Sequence, residues 1–333
     1  MEMQIGPWKF SNRVFVAPMA GVTDRPYRRL CKALGAEYAV SEMAASNPQL
    51  WDTVKTSRRL DHEGEPDPIA IQLTGADPDM MAEAAKFNID RGAQIIDINM
   101  GCPARKVCHV LSGSGLLTDL KQVGKVLDSV VAACQPHGVP VTLKTRTGWD
   151  QDTITAPQVA QMAQDLGIAA ITIHGRTRND FYKGQAEYDT IAAVKQNIDI
   201  PVIANGDIDS PEKAQFVLQY TGADAVMIGR AAQGRPWIFH HIHHYLTHGE
   251  HLTPPTFGVL RKLLIEHLVD HHAFYGEFTG VRTARKHIAW YFGRTPHAKN
   301  WLRSFHKIES SQEQLRAIED WFAQQDPDET IAA

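Results

Sequence analysis

One cysteine stands where a side chain can do chemistry. Residues 95–99 form an apolar, β-branched run that ends in Asn99-Met100-Gly101-Cys102-Pro103. Because glycine and proline do not continue a strand regularly, this pattern predicts a buried parallel strand that delivers Cys102 to the following turn. Catalytic side chains gather at that end of the strands in an α/β barrel. Cys102 is therefore a candidate catalytic residue, although the cysteine taken alone favours the alternative of a small buried thiol that only packs.

Polar side chains also end other predicted strands. Packing inside a barrel requires only apolar residues, so polar groups at six strand ends favour a shared ligand-binding rim. Each of them taken alone is explained equally well as a turn residue or a local hydrogen-bonding group. The candidates, with the small residues beside them, are Pro18, Met19, Ala20, Gln72, Asn99, Lys144, Arg146, His174, Arg176, Asn205, Gly206, Asp207, Gly229 and Arg230.

Eight short runs rich in β-branched residues alternate with segments of helical spacing. The strands are predicted at 14–17, 38–41, 69–73, 95–99, 141–144, 170–174, 202–205 and 225–228, and helices between them at 77–91, 119–134, 157–166 and 211–220. No Gly-x-Gly-x-x-Gly follows the first strand, so a doubly wound dinucleotide-binding sheet is disfavoured. The predicted fold is an α/β TIM (β/α)8 barrel.

The seventh and eighth strands indicate a phosphate site. Barrel enzymes often hold a phosphate between the loops that follow these strands. Gly206 and Gly229 allow close backbone approach, and the guanidinium of Arg230 complements an anion. A phosphorylated cofactor across the rim is the simplest interpretation. If that cofactor is a flavin mononucleotide (FMN), Lys144 is expected near its N1–O2 edge, with Gln72 and Asn99 as hydrogen-bonding partners.

The last third of the chain has a different pattern. Helical spacing without intervening strands predicts helices at 257–275, 281–292, 297–307 and 312–324, which together form a small all-α bundle. We therefore expect a catalytic domain over 1–240 and a helical domain over 241–333.

A basic segment lies within the helical domain. Residues 278–308 contain no Asp or Glu, whereas the chain as a whole carries a net charge of −4. Clustered cations favour contacts with the phosphates of a nucleic acid, while the interleaved aromatic side chains are assigned to the core. The candidate RNA contacts here are Arg282, Arg285 and Lys286, and further cations of the segment are Arg294, Lys299, Arg303 and Lys307.

Composition limits the other functional classes. The four cysteines show neither disulfide nor zinc spacing, so a reducing compartment and no metal are expected. Neither a signal peptide nor a membrane-spanning run is evident, and we expect a cytoplasmic protein, as a monomer. The histidines between His240 and His251 are interpreted as solvated helix residues rather than as a metal site or a pH sensor.

Most of the chain resembles one family. Residues 97–107, which read Asp-Ile-Asn-Met-Gly-Cys-Pro-Ala-Arg-Lys-Val, and the downstream Gly113-Ser114 resemble the signature of the tRNA-dihydrouridine synthases. Asn47-Pro48 and residues 285–287 are most similar to the bacterial B-type subfamily. Cys108-His109 and Gly115 depart from the common pattern, but they fall outside the predicted acid and flavin positions. Similar segments occur at 17–24, 41–43, 71–73, 143–146, 174–177, 205–207 and 227–237.

The resemblance implies an enzyme that reduces the C5=C6 bond of uridines in the tRNA D-loop, with FMN as cofactor and NADPH as reductant. Cys102 would then protonate C5 after hydride from the flavin reaches C6. An ordinary thiol is protonated at neutral pH and suits this role, provided that nearby cations do not favour the thiolate. The implied FMN residues are Pro18, Met19, Ala20, Gln72, Lys144, His174, Asn205, Gly206, Asp207, Gly229 and Arg230, and the implied RNA contacts are Asn99, Arg105, Lys106, Arg146 and Arg176, together with Arg282, Arg285 and Lys286.

Two other functions fit parts of the sequence. The same rim could belong to an FMN-dependent reductase of a small pyrimidine or enone, but a small metabolite needs no basic helical domain. The chain could also be an RNA-binding module whose barrel has lost its chemistry, which the retained Cys102 and flavin residues argue against. Which uridine is modified, and whether NADPH or NADH is preferred, does not follow from the sequence.

Overall fold

The computed structural model describes residues 3–293 and 298–331. The chain divides into two compact units, Met1–Gly229 and Arg230–Ala333. The boundary predicted after residue 240 falls inside a helix of the second unit, Ile238–His248. The two boundaries differ by about ten residues, and a 3₁₀ turn at Arg230–Ala232 lies between them.

The first unit is an α/β barrel, as predicted. Seven consecutive strand pairings are all parallel, and the first strand of the barrel, β3 (Val14–Val16), pairs with the last, β10 (Ala225–Ile228). Residues 38–41, predicted as the second strand, make only isolated parallel bridges, from Ala39 to Val16 and from Val40 to Ala70. The strands of this unit are β1 (Met3–Ile5), β2 (Trp8–Phe10), β3 (Val14–Val16), β4 (Ala44–Ala45), β5 (Ala70–Thr74), β6 (Ile95–Met100), β7 (Val141–Arg146), β8 (Ala170–His174), β9 (Val202–Asn205) and β10 (Ala225–Ile228).

Helices of the barrel begin at caps that the sequence provides. The side chain of Asp77 accepts a hydrogen bond from Met80 N, and a proline occupies the first position of the helix that follows. Ser210 caps α8 (Pro211–Thr221) in the same way. The α-helices are α1 (Arg25–Ala33), α2 (Val54–Leu60), α3 (Pro78–Ile89), α4 (Arg105–Cys108), α5 (Leu120–Cys134), α6 (Ala156–Asp165), α7 (Asp189–Lys195) and α8 (Pro211–Thr221), and 3₁₀ turns occupy Pro48–Leu50, Gly113–Thr118 and Gln135–His137.

An antiparallel hairpin of β1 and β2 adds to the barrel core. Its side chains Met3, Ile5 and Phe10 are buried in one cluster with interior residues of the barrel, such as Phe15 and Tyr38. This hairpin is not predicted from the sequence, because two strands of three residues are too short to show a period of two.

The second unit is helical. Its long helix α10 (Phe257–Tyr275) has the bounds predicted from the sequence. Thr256 caps this helix, because its side chain accepts a hydrogen bond from Val259 N. Arg294 and His297, which belong to sequence predictions, lie outside the described residues. The elements are a 3₁₀ turn at Arg230–Ala232 and the helices α9 (Ile238–His248), α10 (Phe257–Tyr275), α11 (Glu277–Phe292), α12 (Ala298–Phe305) and α13 (Ser311–Phe322).

Three of the aromatic side chains assigned to the core, Tyr291, Phe292 and Phe305, are buried. Phe292 packs 4.6 Å from Trp301 between ring centroids, and Trp301 packs 5.1 Å from Phe305. In the described part of the chain, no helix combines the length and the apolar character that a membrane span requires.

Candidate active site

The polar residues of the barrel strands share its interior face. Side chains alternate between the two faces of a strand, and Ile95 of β6 belongs to the interior core, so Asp97 and Asn99 also face inward. The parallel register places Asn99 beside Lys144 of β7. It likewise pairs His174 of β8 with both Arg146 and Asn205. The structure therefore brings most of the predicted strand-end residues to one end of one barrel.

A chain of hydrogen bonds runs from Asp97 to the turn of Cys102. Asp97 accepts from Thr142 Oγ1 at 2.6 Å and from Gln72 Nε2 at 2.7 Å. Gln72 Oε1 accepts in turn from Asn99 Nδ2 at 2.8 Å. Asn99 Oδ1 then accepts from the backbone N–H of Cys102 at 3.0 Å. Each amide group is thereby oriented by the one before it, which fixes the entry of the chain into the cysteine turn.

The loop after Cys102 folds back onto it. The Cys102 carbonyl oxygen accepts from Ser114 Oγ at 2.7 Å and from Ser114 N at 3.1 Å. Gly113 makes this approach possible, because its φ is +57° and a Cβ there would lie 2.9 Å from the Cys102 carbonyl oxygen. The glycine and serine of the sequence signature are thus the residues that close the loop against the thiol.

Burial determines the protonation state of Cys102. The half-buried thiol has a pKa raised above its ordinary value, chiefly by desolvation, and the neighbouring Cys108 adds to the rise. A hydrogen bond from the Ala104 backbone and the charge of Arg146 oppose it. Desolvation outweighs both, so the side chain carries its proton at neutral pH.

Lys144 is a buried cation of the same rim. Its Nζ donates to Asn205 Oδ1 at 3.0 Å, and Asn205 Nδ2 donates to the Met227 carbonyl at 2.8 Å. Burial lowers the pKa of Lys144 to about 8, and the charge of Arg146 adds to this, whereas Asp97 opposes it. Burial likewise raises the pKa of Asp97 to about 6, against its hydrogen bonds to Thr142 and Gln72. At neutral pH the two groups remain oppositely charged.

The loop after β9 is shaped around an ion pair. Arg176 donates to both carboxylate oxygens of Asp207, and its Nη1 lies 3.3 Å from His174 Nε2. Asp207 has a positive φ of 48°, and Gly206 has a φ of +124°. A Cβ on Gly206 would lie 2.7 Å from Ala186 Cβ and 3.0 Å from His174 Cδ2, so this position requires glycine.

Two of the arginines predicted to contact RNA are buried and bonded to loop carbonyls. Arg146 is 1% exposed and donates to the carbonyls of Gly101, Thr177 and Phe181, each at 2.8 Å. Arg176 is 3% exposed and also donates to loop carbonyls. In contrast, Arg105 and Lys106 on α4, close to Cys102 in the chain, are exposed.

The remaining predicted rim residues follow β3 and β10. Pro18 and Met19 are half-buried and Ala20 is exposed. A Cβ on Gly229 would meet Ala17 Cβ and Met19 Sδ at 3.7 Å, which is ordinary contact distance. Arg230 is the first residue of the second unit and opens its 3₁₀ turn.

The predicted cations of the second unit differ in exposure. Arg282 is exposed, and its Nη1 donates to the Phe278 carbonyl at 3.1 Å. Arg285 and Lys286 are half-buried, and Arg285 Nη2 donates to the Ile308 carbonyl at 2.9 Å. Exposed cations follow on or just after α12, at Lys299, Arg303 and Lys307.

Asp97 joins this hydrogen-bond network, although it was not among the candidate site residues of the sequence. It lies two positions before Asn99, so a period of two places it on the same face, but it entered the prediction only within the apolar run and the signature segment, with no role of its own. The signal was a carboxylate inside an otherwise apolar strand, which burial permits only when hydrogen bonds satisfy it.

Comparison with known proteins identifies the family. The family model described as "Dihydrouridine synthase (Dus)" matches residues 15–326. The chain belongs to the dihydrouridine synthase family. It is 54% identical to the tRNA-dihydrouridine synthase B of Xanthomonas axonopodis pv. citri, over 96% of both chains. It is 53% identical to the tRNA-dihydrouridine synthase B of Pseudomonas aeruginosa, over 97% of this chain and 96% of that one. The family is one of oxidoreductases.

A more distant solved structure has a similar fold. A variant of NCR from Zymomonas mobilis matches with a TM-score of 0.54 and 16% identity, over 75% of this chain and 91% of that one. At this identity the likeness concerns the fold alone.

Proposed function

We propose that this protein reduces the C5=C6 bond of particular uridines in the D-loop of tRNA, with bound FMN as the cofactor and NADPH as the reductant. Relatives more than half identical to it over nearly their whole length carry the name tRNA-dihydrouridine synthase B. The observation on which the proposal rests is a protonated thiol, Cys102, held at the mouth of a barrel by the Asp97–Gln72–Asn99 hydrogen-bond chain.

The rim fits the predicted flavin. Gln72, Asn99 and Lys144 provide donors and acceptors along one wall, suited to the polar edge of an isoalloxazine. Gly206 lies beside His174, in the loop after the seventh strand of the barrel where a phosphate site is predicted. His174, Asp207, Gly229 and Arg230 complete the proposed set, together with Pro18, Met19, Ala20 and Asn205. When bound and reduced, FMN would supply the hydride that C6 receives.

Cys102 would provide the proton for C5. Hydride addition to C6 leaves negative charge across C5, C4 and O4 of the uracil, so an acid must stand near C5. The raised pKa of Cys102 keeps its proton available at neutral pH. The backbone N–H of Cys102 donates to Asn99, and its carbonyl accepts from Ser114. These bonds hold the residue in place without involving its sulfur.

Exposed cations support an RNA substrate. Arg105 and Lys106 follow Cys102 in the chain, and Arg282 lies in the segment without acidic residues. Drawing a uridine out of the tRNA stack costs a few kcal/mol, which phosphate contacts offset. A reductase of a small pyrimidine would gain nothing from such cations.

The test compares the wild-type protein with Cys102→Ala. Wild-type protein should purify yellow and form dihydrouridine in tRNA taken from cells that lack the gene. Cys102→Ala should keep flavin and tRNA binding but lose turnover by about 100-fold or more, since general acids contribute factors of this size. Normal turnover in the variant would remove Cys102 from the mechanism, and equal activity on free uridine would identify a small-molecule reductase.

A further inference from the structure

Three histidines form a buried cluster in the second unit. His267 and His271 belong to α10 and His287 to α11, with exposures of 3%, 0% and 1%. One ring nitrogen from each lies within 4.8 Å of the other two. None of these residues belongs to the proposed active site.

The three imidazole rings lie close together because of their positions on the two helices. His267 and His271 are four residues apart, so they lie on the same face of α10. Their ring centroids are 6.1 Å apart, and the His287 ring lies 4.9 Å from His267 and 5.2 Å from His271. Two histidines at this helical spacing with a third from a neighbouring helix form a ligand set typical of zinc.

Thr283 determines which nitrogen of His271 can bind a metal. Thr283 Oγ1 donates its only proton to the carbonyl of Thr279 at 2.7 Å. At 2.8 Å from His271 Nε2, the hydroxyl oxygen is placed to accept a proton from that nitrogen when His271 carries it there. The lone pair of His271 is then on Nδ1. Metal-bound histidines are commonly oriented in this way, by a second hydrogen bond from the other ring nitrogen.

The imidazoles are also in the charge state that metal binding requires. Desolvation lowers the pKa of His267 to about 4 and that of His271 to about 2, and it lowers the pKa of His287 well below its ordinary value. All three rings are thus neutral at physiological pH, and no proton has to be displaced from them when a cation binds.

We propose that His267, His271 and His287 bind one zinc ion that ties α10 to α11. Zinc–nitrogen bonds of about 2.0–2.1 Å place tetrahedral ligand atoms about 3.4 Å apart, so the nitrogens close by at most roughly 1.4 Å, which side-chain rotation allows. The three side chains leave a fourth position for water. Because the site is buried, the ion enters as the helices fold together.

Lys286 opposes the ion. It directly precedes His287 on α11, so its positive charge lies near the cluster and repels a bound cation. Replacing it by the uncharged Met should therefore tighten zinc binding, whereas a cluster that only packs has no reason to respond in this direction.

Other histidines of this unit provide controls. His272 is also buried on α10, but its Nε2 lies 2.9 Å from Gln314 Oε1, outside the cluster. On α9, His244 and His248 are more exposed, with ring centroids 4.6 Å apart, and they serve as the control for metal bound adventitiously at the surface.

The experiment measures metal in tag-free, full-length protein expressed with added zinc and dialysed against EDTA. Wild type and His272→Gln should retain about one zinc ion per chain, as should the double variant His244→Gln/His248→Gln. His287→Gln should lose the ion. Thr283→Val keeps the shape of the threonine side chain but removes the hydroxyl, and this variant should bind zinc about 10- to 100-fold more weakly. Protein refolded with Co²⁺ alone should show the visible absorption of a tetrahedral nitrogen site.

Three results would overturn the proposal. One is wild-type protein without zinc and without a cobalt spectrum after refolding. Another is a zinc content that disappears with His244 and His248, because the metal would then be on the surface. The third is unchanged zinc affinity in Thr283→Val, which does not depend on whether the His287 variant folds.

Discussion

At the scale of single residues, the turn of the proposed acid Cys102 is connected to a carboxylate that does not touch the thiol. Asp97 is 2% exposed and lies three hydrogen bonds away from the backbone N–H of Cys102, through Gln72 and Asn99. An amide side chain can turn either end toward a neighbour. Asp97 resolves this ambiguity because an ionised carboxylate only accepts, so Gln72 must present its NH₂ to Asp97 and its oxygen to Asn99.

This arrangement makes Asp97 a positioning residue that can be tested. Asp97→Ala should leave a buried Gln72 donor without its acceptor, at a cost of about 1–3 kcal/mol, and lower turnover with tRNA about tenfold as Asn99 loses its orientation. Asp97→Asn can keep an oxygen toward Gln72 and turn its NH₂ to the Thr142 hydroxyl, so it should retain more activity. Single-turnover rates and flavin absorbance measure the two effects.

The comparison of the two Asp97 variants separates orientation from charge. Equal loss of activity in both would mean that the negative charge matters rather than the acceptor. Loss of flavin in Asp97→Ala would mean that the carboxylate supports the cofactor site as a whole. Only a selective loss of rate, largely rescued in Asp97→Asn, fits the hydrogen-bond chain.

Lys144 should set the alkaline limit of activity. Burial lowers its pKa to about 8, whereas burial raises that of Cys102, so Lys144 loses its proton first as the pH rises. The rate of uridine reduction should therefore fall as the pH passes about 8, although the Cys102 thiol is still protonated. In Lys144→Met the rate should be low at every pH and should show no fall near pH 8. If the fall in rate were unchanged in this variant, Lys144 would not be its origin.

At the scale of elements, the strands were more predictable than the loops between them. Strands β8, β9 and β10 begin and end at the predicted residues, because apolar runs bounded by polar strand ends specify a buried parallel strand. The residues that hold Cys102 were not recognised as a group. Gly113 and Ser114 stand more than ten residues downstream, and their contact with Cys102 depends on the path of the loop, which carries no periodic signal.

Gly113 permits a test of that loop. In Gly113→Ala the new Cβ would lie 2.9 Å from Val107 Cγ1 and 3.1 Å from Cys102 Cβ, in a backbone conformation that alanine disfavours. The loop must move away from Cys102, and turnover with tRNA should fall about tenfold or more, since small displacements of catalytic groups have effects of this size. Dihydrouridine formation and thermal unfolding are measured in parallel.

Gly138 is the matched control. Its φ of +66° is close to that of Gly113, but no atom lies within 4 Å of the position of an added Cβ. Gly138→Ala should therefore cost about 1 kcal/mol of stability and leave turnover intact. If both variants lost only stability, the contact between Gly113 and Cys102 would have no catalytic role.

At the scale of the whole molecule, the charge of the chain is unevenly distributed. The net charge is −4, yet residues 278–308 contain no acidic side chain. Sequence alone indicated this segment, but it did not show which cations are available. Arg285 is bonded to a backbone carbonyl, whereas Arg303 and Lys307 are exposed, since exposure depends on how the helices pack rather than on residue type.

The exposed cations should govern the salt dependence of tRNA binding. Each phosphate contact contributes about 0.7–0.9 to the slope of log affinity against log salt. Replacing Arg303 and Lys307 by Gln should reduce the steepness of that slope by roughly 1.4–1.8 and weaken binding at low salt, without loss of flavin absorbance. The measurement is a binding titration with unmodified tRNA at several salt concentrations.

The control removes the same charge from the barrel. Lys121 and Lys125 are exposed on α5, and replacing both by Gln changes the net charge of the molecule equally. Because counterions are released only where phosphates bind, this variant should keep the wild-type slope. If the salt dependence became equally shallow in both double variants, tRNA binding would respond to net charge alone. An unchanged slope in the Arg303/Lys307 variant would mean that other cations contact the phosphates, and Arg105 and Lys106 would be tested next.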